Sequence, residues 1–232
     1  MNNKQQPELS ITIPVYNEEK GIGRTVKNLV NEFEKQKINY ELVLVNHGSW
    51  DNTKEVLEKL GKTNNRLNII NLEKNLGYGG GIMYGFRHSN GENIGWVCAD
   101  EETSAEDACR LYQEFRQNKY DVVKAIRTNR TDGEFRKFTS FIFNKAIAIR
   151  FRLNVKDTNG YPFYMKKQTF ETLEVKEKTH LFNLDLLYEI RKKKYTIKEI
   201  PVVHGKRKTG KTFMKPSRII EMAFDLLKYS LK

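Results

Sequence analysis

The pattern of hydrophobic and polar positions along the first hundred residues predicts an alternating series of strands and helices. The segment Leu9–Val15 is rich in β-branched residues and stops at a proline-containing turn, which is typical of a strand. Residues 18–37 have apolar positions at helical spacing, which predicts an amphipathic helix. The same patterns then predict strand 40–45, helix 51–60, strand 67–72, helix 77–88 and strand 94–99.

This β-α-β-α-β-α-β order favours a doubly wound, mainly parallel sheet with helices on both faces. The second half is less regular, and its apolar patterns predict strands 121–126, 160–165 and 195–203 and helices 138–153, 183–193 and 216–232. Helix 138–153 has its apolar residues on one side, namely Phe141, Ile142, Ala146, Ile149 and Leu153. Because no repeat or Gly/Ser linker interrupts the chain, we expect one α/β domain over residues 1–232.

Composition is that of a globular protein, with 38% hydrophobic and 30% charged residues. No apolar run approaches the roughly 20 residues of a membrane span, and the N-terminus lacks a signal-peptide pattern. We therefore expect a cytoplasmic location, which includes the inner face of the membrane. Cys98 and Cys109 have no CxxC spacing, so neither a zinc site nor a disulfide framework is expected.

The net charge of +12 is concentrated near the C-terminus. Residues 191–232 contain 13 Lys and Arg against 3 Asp and Glu, a local balance of 13 − 3 = +10. Such an excess indicates an anionic partner, such as nucleic acid, anionic lipid or a phosphorylated substrate, or else a solvated basic tail. No basic recognition helix or aromatic-basic RNA signature is evident, so nucleic acid is not the expected partner. The basic amphipathic segment 216–232 suits an interfacial helix or a helix packed on the core.

Ligands of such sheets bind beyond the carboxyl ends of the strands, so the polar loops there are the candidate site. Asp100 follows a buried strand, and its carboxylate is a ligand that hard cations such as Mg²⁺ share with phosphates. A helix N-cap is the other interpretation of Asp100. The glycine cluster 77–81 could admit a phosphate at a helix N-terminus or allow close helix packing. It fits neither GxGxxG nor the ATP phosphate loop.

Basic residues follow two of the later strands. Arg127, Arg130 and Arg136 follow strand 121–126, and residues 207–212 follow strand 195–203. Both groups suit phosphate oxygens, with a solvated loop as the alternative. Asp185 lies between two leucines, so its helix turns it either to a site or to solvent.

Seven segments, taken in order over residues 10–212, resemble family 2 glycosyltransferases with the GT-A fold, especially the dolichyl- or polyprenyl-phosphate sugar synthases. The segments are SITIPVYNEE at 10–19, VNHGSWDNT at 45–53, NLGYGGG at 75–81, CAD at 98–100, DTNGY at 157–161, FNLDLL at 182–187 and IPVV with RKTGKT at 200–212. The second, third and fourth are similar to the family's DDGSxDxT, NxGxGxA and metal-binding DxD patterns. The last three are similar to its DxxSGF loop, its acidic helix and its EvPv…RxxGxS segment.

The resemblance implies a nucleotide-sugar donor site in residues 9–126, an acceptor side in 127–215 and a basic helix in 216–232. It implies donor contacts from Pro14, Tyr16, Glu18, Asn46, Asn75 and Gly77. It assigns Asp100 to the diphosphate and to a divalent cation, Mg²⁺ or Mn²⁺. It also makes four basic residues candidates for the acceptor phosphate, namely Arg127, Arg136, Arg207 and Lys211. Asp185 matches a family acid that in some members is assigned to base catalysis.

The chain also departs from the family's pattern. Asn46 and His47 stand in place of two aspartates, Cys98 replaces the first acid of the metal motif, and Pro162 stands where the family often has a basic residue. A thiol is a poor ligand for hard Mg²⁺, but Asp100 could hold the ion if diphosphate oxygens and waters complete its coordination.

The resemblance therefore implies transfer of a hexose from a UDP- or GDP-sugar to a polyprenyl-phosphate-type lipid acceptor at the membrane face. Two alternatives remain open. One is a transferase acting on a saccharide hydroxyl in cell-surface polysaccharide synthesis, which would need Asp185 as a base. The other is a nucleotide-sugar-binding homologue without catalysis, suggested by the three missing acids.

Overall fold

The computed structural model describes residues 6–128, 134–176 and 181–205 together with Asp225, Leu226 and Tyr229, and only the backbone of residues 134–139. The strands are β1 (Leu9–Val15), β2 (Tyr40–His47), β3 (Leu67–Leu72), β4 (Asn93–Trp96), β5 (Val122–Thr128), β6 (Phe163–Lys166) and β7 (Ile197–Val203). The helices are α1 (Ile22–Lys35), α2 (Thr53–Thr63), α3 (Gly77–Arg87), α4 (Ala105–Gln117), α5 (Glu134–Arg150), α6 (Lys167–Glu171) and α7 (Phe182–Lys192).

All seven strands form one sheet in the order β3-β2-β1-β4-β6-β5-β7. β6 is antiparallel to β4 and β5, and the other pairs are parallel. This confirms the predicted mixed, mainly parallel sheet flanked by helices. Strands from both predicted halves of the domain share this sheet. The sheet therefore does not test the expected division into a donor half and an acceptor half at residue 126, which remains a prediction.

Two layers of apolar side chains cover the faces of this sheet. One layer joins alternate residues of β1 and β2 to α1 and α4, and its members include Ile11, Ile13, Leu42, Phe33 and Tyr112. The other joins β4 and β6 to α3 and α7, and its members include Trp96, Phe163, Phe86, Phe182 and Leu186. Because both faces are covered, every residue of β1 and β2 is buried except Pro14, which is partly buried.

Differences from the predicted bounds have local causes. α2 begins at Thr53 rather than at residue 51, because the Asp51 carboxylate accepts hydrogen bonds from the backbone N–H groups of Glu19 and Thr53 at 3.3 and 3.0 Å. β4 ends at Trp96 rather than at residue 99, so Asp100 lies in a loop beyond the sheet. No bounds were predicted for α4, and the short helix α6 was not predicted.

α5 has an unusual distribution of apolar side chains. Phe141, Ile142 and Ile149 share a face as predicted, but they are 61, 50 and 71% exposed. Ile147, on the opposite side of the helix, is fully buried. Leu153 lies beyond the end of the helix and is buried, so the prediction that it belongs to the same face was wrong.

The predicted helix 216–232 lies outside the described residues except for Asp225, Leu226 and Tyr229, whose backbone is helical. The Tyr229 ring packs on Phe151 with centroids 5.5 Å apart. Tyr229 therefore packs on the domain. Within the part of the chain that the structure covers, no helix has both the length and the apolar content to cross a bilayer.

Candidate functional site

The carboxyl ends of β1 and β2 bring two predicted donor residues, Tyr16 and Asn46, to the same edge of the sheet. Val15 pairs with Asn46 in the parallel register, so the residues that follow both strands emerge side by side. The ring of Tyr16 lies against that of His47, with centroids 5.9 Å apart. Asn46 is buried, and its amide donates a 2.8 Å hydrogen bond to Oδ1 of Asn71 in β3. Sequence reasoning missed Asn71, because a polar residue near the end of a strand is an unspecific signal.

Side chains of the second loop hold the loop that follows β1. The backbone N–H of Asn17 donates to Oγ of Ser49 at 3.0 Å, and that of Glu18 donates to Oγ1 of Thr53 at 2.9 Å. In return, Oδ1 of Asn17 accepts from the backbone N–H of Trp50 at 3.0 Å. Asn17 has a φ of 55°, a left-handed conformation that these bonds stabilise. Thus the Ser, Asp and Thr positions of the second motif orient the loop that carries Tyr16 and Glu18.

Asn75 joins the second loop to the start of α3. Its Oδ1 accepts from the backbone N–H of Gly77 at 2.8 Å and lies 3.1 Å from Nδ1 of His47. Since this oxygen is an acceptor, Nδ1 of His47 is assigned as the donor. Burial lowers the pKa of His47, although its bond to Asn75 partly opposes this, so the ring is neutral near pH 7. Gly48 has a φ of 81°, and a Cβ there would lie 2.9 Å from the backbone nitrogen of Asn75.

Asp100 lies in the loop beyond β4, at the same edge of the sheet as Asn46. Its carboxylate accepts a hydrogen bond from the backbone N–H of Glu102 at 3.3 Å. The N-cap of α4 is Ser104, whose hydroxyl accepts from the backbone N–H of Asp107. The alternative interpretation of Asp100 as that cap was therefore wrong. Burial, and then the charge of Asp100, raises the pKa of the Cys98 thiol well above its usual value, so Cys98 is a neutral thiol.

Glu102 connects the Asp100 loop to two distant parts of the chain. Its Oε2 accepts from the hydroxyl of Tyr161 at 3.1 Å and lies 3.2 Å from Nε2 of His204. Its backbone carbonyl accepts from the N–H of Gly205 at 2.8 Å. His204 directly follows β7 and is buried. Sequence reasoning missed this cluster, although a histidine just beyond a strand was an available signal.

Arg127, a predicted acceptor contact, is bound to Asp157. Its Nε and Nη2 atoms each lie 2.8 Å from a carboxylate oxygen of Asp157, and its backbone N–H donates to the same carboxylate. Burial alone would raise the pKa of Asp157, but the Arg127 guanidinium outweighs burial and holds that pKa well below its usual range. The pair fixes the loop 157–160 against the end of β5.

A second buried cation supports the same loop. Lys124 is fully buried, its Nζ donates to the backbone carbonyl of Asp157, and it lies 3.3 Å from Oε1 of Glu199. Glu199 also accepts from the backbone N–H groups of Lys156 and Asp157 at 2.7 and 3.1 Å. Burial lowers the pKa of Lys124, and the two acids oppose that change. The network therefore pairs two cations with two acids inside the protein, as buried charges require.

The start of α7 presents an amide, not an acid, toward the loops of the site. Asn183 is buried and donates to Oδ1 of Asn159 at 3.0 Å, within the loop that binds Arg127. It also contacts the Tyr78 hydroxyl, which in turn accepts from Nε1 of Trp96 at 3.1 Å. Trp96 is the last residue of β4, so Asn183 is connected to the strand that leads to Asp100. Neither Asn159 nor Asn183 was among the predicted site residues.

Asp185 has a different environment from Asn183. Its carboxylate accepts from the backbone N–H of Lys176 at 2.7 Å and from the hydroxyl of Tyr229. It lines a cavity of about 630 Å³ that contains several charged residues, among them Arg152, Glu174 and Lys192, and that does not include Asp100. Residues two apart on a helix point in different directions, which separates Asp185 from Asn183.

Three predicted acceptor contacts lie outside what the structure describes. These are Arg207 and Lys211, in the segment after Gly205, and the side chain of Arg136 in α5. Their roles remain predictions.

The carboxylate of Asp100 fits a divalent cation that is shared with a diphosphate. The neutral Cys98 thiol does not add a ligand for a hard ion. Within the described residues, no three His, Cys, Asp or Glu side chains converge as a ready-made metal site. Mg²⁺ is commonly bound through one or two carboxylates plus substrate phosphates, so this donor set suits a substrate-shared site and not a protein-only one.

Comparison with known proteins gives a family match and a sequence relative. The model of glycosyl transferase family 2 matches residues 10–174. The undecaprenyl-phosphate 4-deoxy-4-formamido-L-arabinose transferase of Edwardsiella ictaluri (strain 93-146) is 29% identical over 222 residues, which are 94% of this chain and 66% of that protein. The chain thus spans just under two thirds of this relative's length.

Two solved structures share the fold. Glucosyl-3-phosphoglycerate synthase from Mycobacterium tuberculosis, in complex with Mn²⁺, UDP and phosphoglyceric acid, superposes with a TM-score of 0.74 at 15% identity, covering 97% of this chain and 77% of that one. A mannosyltransferase from Pyrobaculum calidifontis, in complex with GDP-Man and Mn²⁺, superposes with a TM-score of 0.63 at 16% identity, covering 89% of this chain and 59% of that one. The predicted GT-A fold is confirmed.

Proposed function

Because the chain belongs to glycosyl transferase family 2, we propose that it transfers a hexose from a UDP- or GDP-sugar to a polyprenyl-phosphate-type lipid acceptor at the membrane face. The donor part draws support from solved proteins of this fold, whose complexes contain UDP or GDP-Man with Mn²⁺. The acceptor part draws support from the relative named as an undecaprenyl-phosphate sugar transferase. The proposed location is the cytoplasmic face of the membrane.

One observation carries the choice of acceptor: Asn183 of α7 bonds to Asn159 in the loop that binds Arg127, whereas Asp185 bonds to Lys176 and Tyr229. A saccharide hydroxyl must lose its proton during transfer, which calls for a positioned base, and an amide cannot serve as one. A phosphate acceptor is already anionic, so positioning and charge neutralisation are enough. The environment of α7 therefore favours a phosphate over the hydroxyl acceptor.

On the donor side, each predicted residue has a role that its position supports. Tyr16, Glu18 and Asn46 would contact the nucleotide, together with Pro14 at the end of β1. Asn75 holds His47 and, through the backbone N–H of Gly77, the start of α3, whose N-terminus would favour the negative charge of the diphosphate. Asp100 would bind Mg²⁺ or Mn²⁺, which when bound stabilises the negative charge that develops on the leaving diphosphate.

On the acceptor side, the phosphate would meet a basic group formed by Arg127, Arg136, Arg207 and Lys211. Arg127 is already oriented by Asp157 through its Nε and Nη2 atoms, so it would bind the phosphate through its other N–H donors. A guanidinium held in this way loses little rotamer freedom on binding, which suits the recognition of a phosphate.

The test is transfer from UDP- and GDP-sugars to a short-chain polyprenyl phosphate with Mn²⁺, compared among four proteins. The wild type should transfer sugar from one nucleotide, and Asp100→Ala should lose transfer. Asp185→Asn should keep activity within about threefold, because no base is required for a phosphate. Glu106→Gln, which changes an exposed acid of α4, is the matched control.

Two outcomes would favour the alternatives. A loss of about a hundredfold or more in Asp185→Asn, with a saccharide as the better acceptor, would indicate a hydroxyl-directed transferase. Nucleotide binding without transfer or donor hydrolysis at any Mn²⁺ concentration would indicate a non-catalytic binding protein. A thermal-shift screen of UDP, GDP and their sugars, with and without Mn²⁺, identifies the donor because a bound ligand raises stability by mass action.

A further inference from the structure

We propose that Trp50 binds the base of the donor nucleotide by stacking its indole ring on the flat face of the base. The inference rests on the proposed function and deepens it, because it names a residue that holds the base and not the sugar or the diphosphate. The ligand is a nucleoside diphosphate, free or as part of a nucleotide sugar.

Trp50 is exposed to a degree that is unusual for its residue type. Tryptophan side chains are highly buried on average, yet 80% of Trp50 is accessible. The other exposed large hydrophobic side chains in the described part of the chain range from 39 to 71%. Because burial is what makes an apolar side chain stabilising, the indole contributes little to the free protein and is available to a ligand.

The backbone of Trp50, in contrast, is held by the loop around it. Its N–H donates to Oδ1 of Asn17 at 3.0 Å. On one side, Oγ of Ser49 accepts from the backbone N–H of Asn17 at 3.0 Å, and on the other, the Asp51 carboxylate accepts from that of Thr53 at 3.0 Å. A free ring on a fixed backbone is preorganised, since binding orders only the side chain.

The loop of Trp50 lies beside two of the proposed nucleotide contacts. Asn17, which accepts the hydrogen bond of Trp50, directly follows Tyr16. The backbone N–H of Ser49, the residue before Trp50, donates to Oδ1 of Asn46 at 3.4 Å. Trp50 is therefore tied to the segments that carry Tyr16 and Asn46.

The order of the strands separates the base from the diphosphate. β1 lies between β2 and β4, so two strand spacings, roughly 10 Å, separate the end of β2 from that of β4. Asp100, the proposed diphosphate and cation residue, follows β4, whereas Trp50 follows β2. A nucleotide with its phosphates at Asp100 and its nucleoside at β1 and β2 thus extends its base toward Trp50.

An indole ring suits this position because every base presents a flat π face. Stacking on an aromatic side chain tolerates different bases, so Trp50 adds affinity for UDP and GDP alike. Discrimination between these bases then comes from polar groups and not from Trp50. Since the base is remote from the reacting centre, its stacking is equal in the ground state and the transition state, and it lowers the donor KM without changing kcat.

The first experiment measures the binding of UDP, GDP and ribose 5-diphosphate, which lacks a base, by calorimetric titration with Mg²⁺. Trp50→Ala should weaken the nucleotide that the wild type binds by about tenfold or more and leave ribose 5-diphosphate unchanged. Trp50→Tyr keeps a ring and should stay within about threefold of the wild type. Phe141→Ala, at an exposed aromatic residue of α5, is the matched control.

The same variants separate a binding role from a structural one. Because Trp50 is exposed, the thermal midpoint of Trp50→Ala should equal that of the wild type. In the transfer assay, its donor KM should rise by the same factor as the dissociation constant, and kcat should be unchanged.

Fluorescence gives a second readout, because the chain has only two tryptophans. Trp96 is buried, so acrylamide reaches Trp50 selectively, and Trp50→Phe supplies the signal of Trp96 alone. A saturating nucleotide should protect Trp50 from acrylamide, and saturating ribose 5-diphosphate should not.

Four results would overturn the inference. They are unchanged nucleotide affinity in Trp50→Ala, an equal loss of affinity for ribose 5-diphosphate, no protection of Trp50 from acrylamide, or a wild-type oligomer in sedimentation velocity that Trp50→Ala dissociates. The last would identify Trp50 as a contact between copies of this chain. Nucleotide binding and transfer that do not depend on Trp50 remove this inference alone. Nucleotide binding that depends on Trp50, without any transfer, removes the proposed function alone, and no nucleotide binding removes both.

Discussion

Nε2 of His204 lies 3.2 Å from Oε2 of Glu102, so the end of β7 is joined to the loop that carries Asp100. The Gly205 backbone N–H donates to the Glu102 carbonyl and adds a second link between the same two segments. The basic residues 206–208 directly follow this junction in the sequence. The contact therefore sets the position of the Asp100 loop relative to the end of β7.

Replacing His204 by Phe should lower the free energy of unfolding by about 2 kcal/mol, because Glu102 loses a buried partner. It should also weaken binding of the donor nucleotide in the presence of Mn²⁺, since the Asp100 loop loses one anchor. His204→Gln, which keeps a donor, should recover part of both effects. Denaturant unfolding measures the free energy of unfolding, and calorimetric titration measures the nucleotide affinity. Unchanged nucleotide affinity in a destabilised His204→Phe would contradict the positioning role.

Replacing Cys98 by Asp should strengthen Mn²⁺ binding in the presence of the nucleotide by about tenfold, because it adds a carboxylate beside Asp100. Without the cation, the variant should be less stable than the wild type, since two nearby carboxylates repel each other. Cys98→Ser is the control for the loss of the thiol. Titration of the apparent Mn²⁺ affinity checks the prediction, and equal affinities in the Asp and Ser variants would refute it.

Asp157→Asn should reduce the free energy of unfolding at pH 7 by about 3 kcal/mol, because it leaves the Arg127 guanidinium without its carboxylate. The pKa of Asp157 is lower in the folded chain than in the unfolded chain. Its contribution is therefore complete above the unfolded pKa, near 4, and is lost as the pH falls toward the folded pKa.

The gap in stability between wild type and Asp157→Asn should accordingly be constant from about pH 5 to 7 and narrow below about pH 4. Chemical denaturation at a series of pH values measures this gap. Asp121→Asn, at a partly exposed acid near the opposite end of β5, serves as the comparison. A gap that widens on acidification would show that the Arg127 pair is not what stabilises the Asp157 loop.

Gly79→Ala should destabilise the protein by about 1–3 kcal/mol, because a Cβ there would lie 2.3 Å from the Cβ of Phe182. The displaced Phe182 would also move Asn183, so transfer should fall further than the loss of stability explains. Gly23→Ala is a matched control in α1 with nothing within 4 Å of the added Cβ. It should stabilise the chain by about 0.5–1 kcal/mol. Thermal unfolding measures the stability of both variants. Equal changes in stability would argue against close packing at Gly79.

The sequence by itself determined the order of elements and the edge of the sheet where the site lies. The observed bounds of β1 and β3 equal the predicted ones, and Asp100 follows β4 as expected, whereas β2 continues to His47 and so includes Asn46. The physical reason is that the periodicity of apolar residues encodes a strand or a helix locally. Parallel strands then bring their carboxyl ends to one edge.

Only the tertiary structure decided which distant groups meet. Antiparallel β6 is inserted between β4 and β5. Arg127 pairs with Asp157, and His204 contacts Glu102. Each of these contacts joins segments that are far apart in the sequence. No local pattern encodes such contacts, because they depend on how the elements pack. The same holds for α7, whose leucines predict an amphipathic helix but do not specify that Asn183 bonds to Asn159 and Asp185 to Tyr229. It also holds for α5, where an apolar stripe predicts burial and only the packing of Ile147 shows that the stripe faces outward.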